Sequence, residues 1–287
     1  MPRFHCALAV AAGLLLSSAV ASAETPAERG AYLVNSIVAC GNCHTPMGPN
    51  GPLPGMELAG GTVFEEKPFT ARAPNITPDK QTGIGAWTDA QIARAIREGI
   101  RPDGSPIGPP MPIDLYRGIS DGDLQAMVAY LRSVKPVANQ VAKSEYRMPL
   151  PPAYGPPVTS VPEVPRRDKV RYGAYLAGPL GHCIDCHTPM IGPGQRDYAK
   201  ATGAGGFELR GPWGLAIAAN ITPHRDTGIG KWTDAQIKRA ITQGVRADGS
   251  PLNPPMAYAF YARMKPEDLD ALVAYLRSLK PVNNAVR

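Results

Sequence analysis

The sequence predicts a mainly α protein of two tandem domains joined by a proline-rich linker. Three observations carry that expectation. Residues 75–137 match residues 220–282 at 39 of 63 positions with no gap, which marks a tandem duplication. Apolar residues recur at helical spacing behind cap signals in both copies. Between the copies, YRMPLPPAYGPPVTSVPEVP (146–165) holds seven prolines. Proline fixes φ and removes a backbone donor, so this stretch is expected to run extended and stiff.

In chain order, residues 1–23 read as an export signal. Arg3 precedes an apolar run from Ala7 to Leu16, and Ala21-Ser22-Ala23 has the small-x-small form of a cleavage site. The run is too short for a comfortable membrane span. Its removal would take away Cys6 and leave four cysteines. The first domain is expected over 24–145, the linker over 146–165 and the second domain over 166–287. In each domain a first helix, 27–38 or 170–177, leads into a cysteine pair. Thr88 and Thr233 then offer N-caps with Gln91 and Gln236 three residues on, the capping-box spacing. Gly99 or Gly244 closes that helix. A last helix begins near Asp121 or Pro266, carries Leu124, Met127, Val128 and Leu131 on one face in the first copy, and stops before Pro136 or Pro281. Glycine (30) and proline (32) are plentiful and only 19% of residues are charged. Short helices and long loops bury too little for such domains, so a large apolar cofactor is expected to complete each core.

The chemistry lies in CGNCHTPM (40–47) and CIDCHTPM (183–190). An exported dithiol oxidoreductase would show βαβ patterning, which is absent here. Closed zinc sites want four ligands, but each copy repeats only two cysteines and one histidine; His182 and His224 align with Ala39 and Asp79. C-x-x-C-H is the attachment signature of c-type haem. Two covalently bound c-type haems are therefore expected, on Cys40 and Cys43 and on Cys183 and Cys186, with His44 and His187 as axial ligands. Only two methionine pairs are duplicated. Met47 and Met190 lie three residues past the histidines and are expected to pack beside the attachment turn. Met111 and Met256 lie 67 and 69 residues past them, in the proline-rich runs GPPMP and NPPMA, and are expected as the distal ligands. Asn75, Trp87 and Arg101, with Asn220, Trp232 and Arg246, are candidates for propionate contacts; turn-making and packing are equal alternatives.

Each copy resembles a class I cytochrome c domain, with its first helix, C-x-x-C-H, methionine loop and last helix. The shared run NITP, TGIG, WT, DG, PPM and VAYLRS resembles cytochrome subunits and partners of periplasmic alcohol, aldehyde and sugar-acid dehydrogenases. That resemblance implies a periplasmic electron-transfer protein with a dehydrogenase as donor and a cytochrome, oxidase or other redox protein as acceptor. Membrane contact is expected only through a partner or an uncleaved signal. A haem with both axial positions filled has no place for substrate, so a carrier is expected rather than a di-haem enzyme of the peroxidase or thiosulfate dehydrogenase type. Export argues against a nucleic-acid partner despite a net charge of +6. Residues 24–145 hold 11 Lys and Arg against 13 Asp and Glu, whereas residues 166–287 hold 17 against 10; docking of an acidic partner by the second domain and drift of solvated surface charge after duplication are both open readings of that asymmetry.

Overall fold

A computed structural model describes residue 1 and residues 24–286 apart from 193 and 212. The expected export signal lies outside the described residues except for Met1. In the first copy α1 (Pro26–Asn35) leads to α2 (Cys40–His44); α3 (Asp89–Glu98), α4 (Ile113–Tyr116) and α5 (Asp121–Ser133) follow. The second copy repeats this with α6 (Lys169–Tyr175), α7 (Cys183–Cys186), α8 (Asp234–Gln243), α9 (Tyr258–Tyr261) and α10 (Pro266–Ser278). Unlike α1, α6 runs on into a π-helical turn, Leu176–Leu180, which contains Pro179. Strands that the sequence reading did not place complete the fold. Short antiparallel hairpins pair β1 (Met47–Gly48) with β2 (Gly51–Pro52) and β3 (Val63–Glu66) with β4 (Phe69–Arg72), which also pairs β5 (Glu145–Tyr146). Their counterparts are β6 (Met190–Gly192) with β7 (Gln195–Arg196), and β8 (Glu208–Gly211) with β9 (Gly214–Ile217).

The expected caps form. Thr88 and Thr233 each accept from the backbone N–H of the glutamine three residues on, and that glutamine reaches back to the cap. Gly99 and Gly244 end the two helices at φ 68° and 66°, a left-handed geometry that glycine adopts without penalty. Leu124, Met127, Val128 and Leu131 are all buried along α5.

Each copy is built on one close crossing. A Cβ on Gly30 would fall 1.9 Å from the Ala126 carbonyl oxygen, and one on Gly173 would fall 2.0 Å from that of Ala271. The first and last helices of each copy therefore touch backbone to backbone, which only glycine permits. In the first copy the crossing is pinned by a buried, bidentate ion pair, Arg29 Nε and Nη2 to Asp123 at 2.8 and 3.0 Å. Tyr172 stands at the equivalent position in the second copy.

The two copies do not stand apart. A single apolar core joins Leu33, Val34, Ile37 and Tyr116 of the first to Tyr175, Leu176, Leu180 and Tyr261 of the second. The intervening prolines lie along the first copy. Tyr154 donates to the Ile107 carbonyl (2.7 Å), and Glu163 accepts from the Gly122 N–H (3.0 Å) and the Ser120 hydroxyl (3.1 Å). Gly30→Ala is expected to cost about 2–3 kcal/mol by overpacking the crossing, a fall of several degrees in Tm. Gly178→Ala, whose methyl would meet Ile184 at an ordinary 3.5 Å, should stay within about 0.5 kcal/mol when both variants are compared by denaturant titration.

Candidate cofactor sites

The chain enters each C-x-x-C-H unit through a residue in the left-handed region. Ala39 has φ 52° and His182 φ 41°, so the chain reverses sharply before a single helical turn. Within that turn Thr45 N–H donates to the Gly41 carbonyl (3.1 Å), and His187 N–H donates to the Cys183 carbonyl (3.0 Å). Residues three apart on such a turn share a face, which puts Cys40 beside Cys43 and Cys183 beside Cys186. All four are free, half-buried thiols. Burial pushes the thiols of Cys40 and Cys186 up to about 12, and those of Cys43 and Cys183 to about 11. As unattached side chains they would be protonated thiols rather than a reactive thiolate pair.

Each histidine is fixed from behind. His44 Nδ1 lies 2.8 Å from the Pro74 carbonyl oxygen and His187 Nδ1 lies 2.7 Å from that of Ala219. A carbonyl only accepts, so Nδ1 carries the proton and Nε2 keeps its lone pair, the tautomer that a metal takes. Burial holds both imidazoles below their usual pKa, partly offset by these backbone bonds. Paired reduced thiols beside an imidazole with a free Nε2 fit the donor set of a covalently attached haem.

Two glycines absent from the sequence-derived site set the distance between histidine and carbonyl. Gly60 N–H donates to the His44 carbonyl (2.7 Å) and Gly205 N–H to that of His187 (2.8 Å). Both have φ 76°, and a Cβ on Gly60 would sit 2.4 Å from the Pro74 carbonyl carbon. The duplicated Gly-Gly at 60–61 and 205–206 was the available signal.

Asn75 and Asn220, candidates for propionate contacts, instead build the turn behind the histidines. Asn75 Oδ1 accepts from the N–H (2.9 Å) and hydroxyl (2.7 Å) of Thr77, while Nδ2 donates to the Val137 carbonyl (2.7 Å) and Thr82 hydroxyl (3.0 Å). Asn220 repeats the pattern on Thr222, Val282 and Thr227. Arg101 closes its own loop onto the Pro106 carbonyl at 2.5 Å, as Arg246 does onto Pro251. Trp87 packs against the large core and Trp232 against a smaller cluster around Ile229 and Leu276.

The methionines divide sharply. Met47 and Met190, expected beside the attachment turn, are 58% and 40% exposed on β1 and β6. Thr45 is extended, at φ −111° and ψ 125°, and leads the chain out of the turn into a hairpin with the Met47 side chain in solvent. Met111 and Met256 are half-buried against the core that also receives Cys40 and Cys183. Their carbonyls accept from Ile113 and Tyr258 N–H, each at 2.9 Å, which opens α4 and α9.

The sequence model of the family described as "Cytochrome c" matches residues 173–280. That described as "Cytochrome C oxidase, cbb3-type, subunit III" matches residues 25–131. The chain is 34% identical over 278 residues to the fructose dehydrogenase cytochrome subunit of Gluconobacter japonicus, covering 90% of this chain and 54% of the relative. It is 34% identical over 302 residues to the cytochrome c subunit of the quinone-dependent alcohol dehydrogenase of Gluconobacter oxydans, covering 96% of this chain and 60% of that subunit. With a diheme c-type cytochrome of Cereibacter sphaeroides it shares 28% over 255 residues, which is 85% of this chain and 82% of that protein. The chain thus spans little more than half the length of the first two. Two cytochrome c-type domains are present, and they carry two c-type haems.

Asn75→Ala would leave the Thr77 N–H unpaired in a buried turn and the Val137 carbonyl with only the longer bond from the Thr77 hydroxyl (3.3 Å), at a cost of about 1–3 kcal/mol. Denaturant unfolding checks this, and a loss below about 0.5 kcal/mol would contradict the role given to Asn75.

Proposed function

We propose that this chain, a cytochrome c family member with one such domain in each copy, is a periplasmic carrier that takes single electrons from a dehydrogenase and passes them to a respiratory acceptor. The observation that carries this reading is the duplicated donor set, in which each Cys-x-x-Cys turn has its histidine fixed through Nδ1 and a methionine loop on the same core. Cys40, Cys43, Cys183 and Cys186 would hold the haems by thioether bonds, with His44 and Met111, and His187 and Met256, as axial ligands. Haem supplies an iron that changes oxidation state by one electron without gaining or losing a ligand.

The protein's own groups do the rest. The Pro74 and Ala219 carbonyls orient the imidazoles, and burial keeps them neutral. The proline-rich loops bring the thioethers to the core from far along the chain, and the apolar core excludes water. Filled axial positions leave no place for substrate, which favours a carrier over an enzyme.

A dehydrogenase as donor is supported by what the relatives are named for: fructose, alcohol and nicotinate dehydrogenases, and the gluconate 2-dehydrogenase of Pantoea cypripedii, 29% identical over 298 residues. No helix among the described residues is long and apolar enough to cross a membrane. The surplus of basic residues in 166–287 suits an acidic partner, and its effect would fall on association rate.

A pyridine haemochrome assay is expected to find two haems per chain. The weak long-wavelength absorption of iron–thioether bonding should fall by about half in Met111→Ala or Met256→Ala and vanish in the double variant. An unchanged band in either single variant overturns the distal assignment.

A further inference from the structure

We propose that the outer edge of β9 is a strand-accepting site, which takes an extended, acidic segment of the dehydrogenase that is the proposed donor. This rests on the carrier reading of the chain. The two copies differ at this edge. In the first, β4 lies between β3 and β5, with Phe69 and Thr70 paired to Tyr146 and Glu145. Arg147 N–H donates to the Pro68 carbonyl (2.8 Å), and Arg72 N–H donates to the Ser144 hydroxyl oxygen (2.9 Å). The Arg72 guanidinium also meets the Glu145 carboxylate at 3.2 Å. In the second copy β8 and β9 keep the same register, with Glu208 opposite Ile217 where Val63 stands opposite Arg72. Among the described residues, however, no third strand covers β9. An uncovered edge leaves a row of backbone donors and acceptors that another chain can pair with.

The side chains have changed along with the edge. Alternate residues of a strand share a face, so Glu65, Thr70 and Arg72 lie together on the first hairpin, and Arg210, Leu215 and Ile217 take their places on the second. Native edges are commonly guarded by charged side chains, yet here a threonine and an arginine have become leucine and isoleucine. Leu215 is 43% exposed, and Trp213, which stands where the first copy has Pro68, is 37% exposed. Arg210 reverses the charge of Glu65. Its ion pair among the described residues is with Glu208, two positions away at 3.1 Å, and both side chains are largely exposed. Such a pair is worth at most about 1 kcal/mol, so the guanidinium can turn to a carboxylate on an added strand. The occupant that fits therefore sets apolar side chains beside Leu215 and Ile217 and a carboxylate beside Arg210. Residues 166–287 hold 17 basic against 10 acidic residues, which favours an acidic segment over a second copy carrying the same surplus.

The hairpin leads straight into the second site. Ala218 N–H donates to the Phe207 carbonyl and Gly206 N–H to the Ala218 carbonyl, each at 2.8 Å, and the next carbonyl, that of Ala219, holds His187 Nδ1 at 2.7 Å. A strand added to β9 stands against the backbone that fixes this imidazole, and it brings the donor to the second domain. Main-chain hydrogen bonds would supply the affinity, and Leu215, Ile217 and Arg210 the selectivity.

The experiment uses the full-length, haem-loaded and fully reduced protein, with a blocked synthetic peptide of alternating valine and glutamate as the probe. Backbone amide exchange is followed residue by residue by NMR. In an antiparallel strand alternate residues turn their N–H groups to the same edge, and the Arg72 bond places residues 70 and 72, hence 215 and 217, on the outer one. Without peptide, the Leu215 and Ile217 amides should exchange faster than those of Thr70 and Arg72. Millimolar peptide should slow the first two at least five-fold and leave the others unchanged, and a valine–lysine peptide should have no effect. Arg210→Glu with Leu215→Thr, which installs the residues of the first copy, should abolish the slowing while both haems are retained. Should that pair fail to fold, Leu215→Pro, which removes one outward N–H, is read at Ile217 with the same expectation. No slowing by the glutamate peptide, equal slowing by the lysine peptide, or slowing that survives in the variant overturns the proposal. So does protection that appears without peptide as protein concentration rises, because a second copy would then occupy the edge. Fewer than two haems per chain, or no reduction by ascorbate, would instead overturn the carrier reading.

Discussion

The backbone contact of the first and last helices at Gly30 and Gly173 is the constraint on which the rest depends. A methyl group at either position would lie about 2 Å from a carbonyl oxygen, well inside any van der Waals distance. Because α1 runs almost directly into the first attachment turn, its position on α5 sets where Cys40 and His44 stand. Because Asp123 and Asp268 lie in the first turns of α5 and α10, the same crossings also set where each copy can accept a tyrosine from the other. One local requirement for glycine thus governs both the site within a domain and the joining of the two domains.

Behind each site the chain uses backbone groups where a side chain might have been expected. The Pro74 and Ala219 carbonyls hold the imidazoles, and the Gly60 and Gly205 N–H groups hold the histidine carbonyls. Asn75 and Asn220 then use all their polar atoms to keep those carbonyls in place. A neutral imidazole with Nδ1 occupied has one remaining donor, and its direction is set by a rigid turn rather than by a flexible residue. That arrangement suits a site that must keep the same ligands while its charge changes.

Much of this was legible in the sequence. Cys40, Cys43 and His44 with Cys183, Cys186 and His187 announce their chemistry by spacing, and the Thr88–Gln91 and Thr233–Gln236 caps appear where the pattern puts them. Met47 misled because three residues along a helical turn would have kept it beside the ring, whereas the chain leaves the turn in extended form at Thr45. The hairpins escaped notice because two- to four-residue strands carry almost no periodic signal. The joining of the copies was illegible for a different reason. Tyr32 and Asp268 are 236 residues apart, and neither residue type signals a partner at that distance. A proline-rich segment between repeats reads as a spacer between separate domains, yet here it lies along the first copy while the domains share a core.

The central claim is that these sites carry electrons and do not turn over a substrate, which requires both axial positions of each iron to be filled by the protein. Exposure of the fully reduced protein to carbon monoxide tests it most directly. Absorption spectra unchanged at both sites are the expected result, because the proposed methionine ligation would leave no position for the gas. Formation of a carbon monoxide adduct at either site at neutral pH would contradict it and reveal an iron open to substrate.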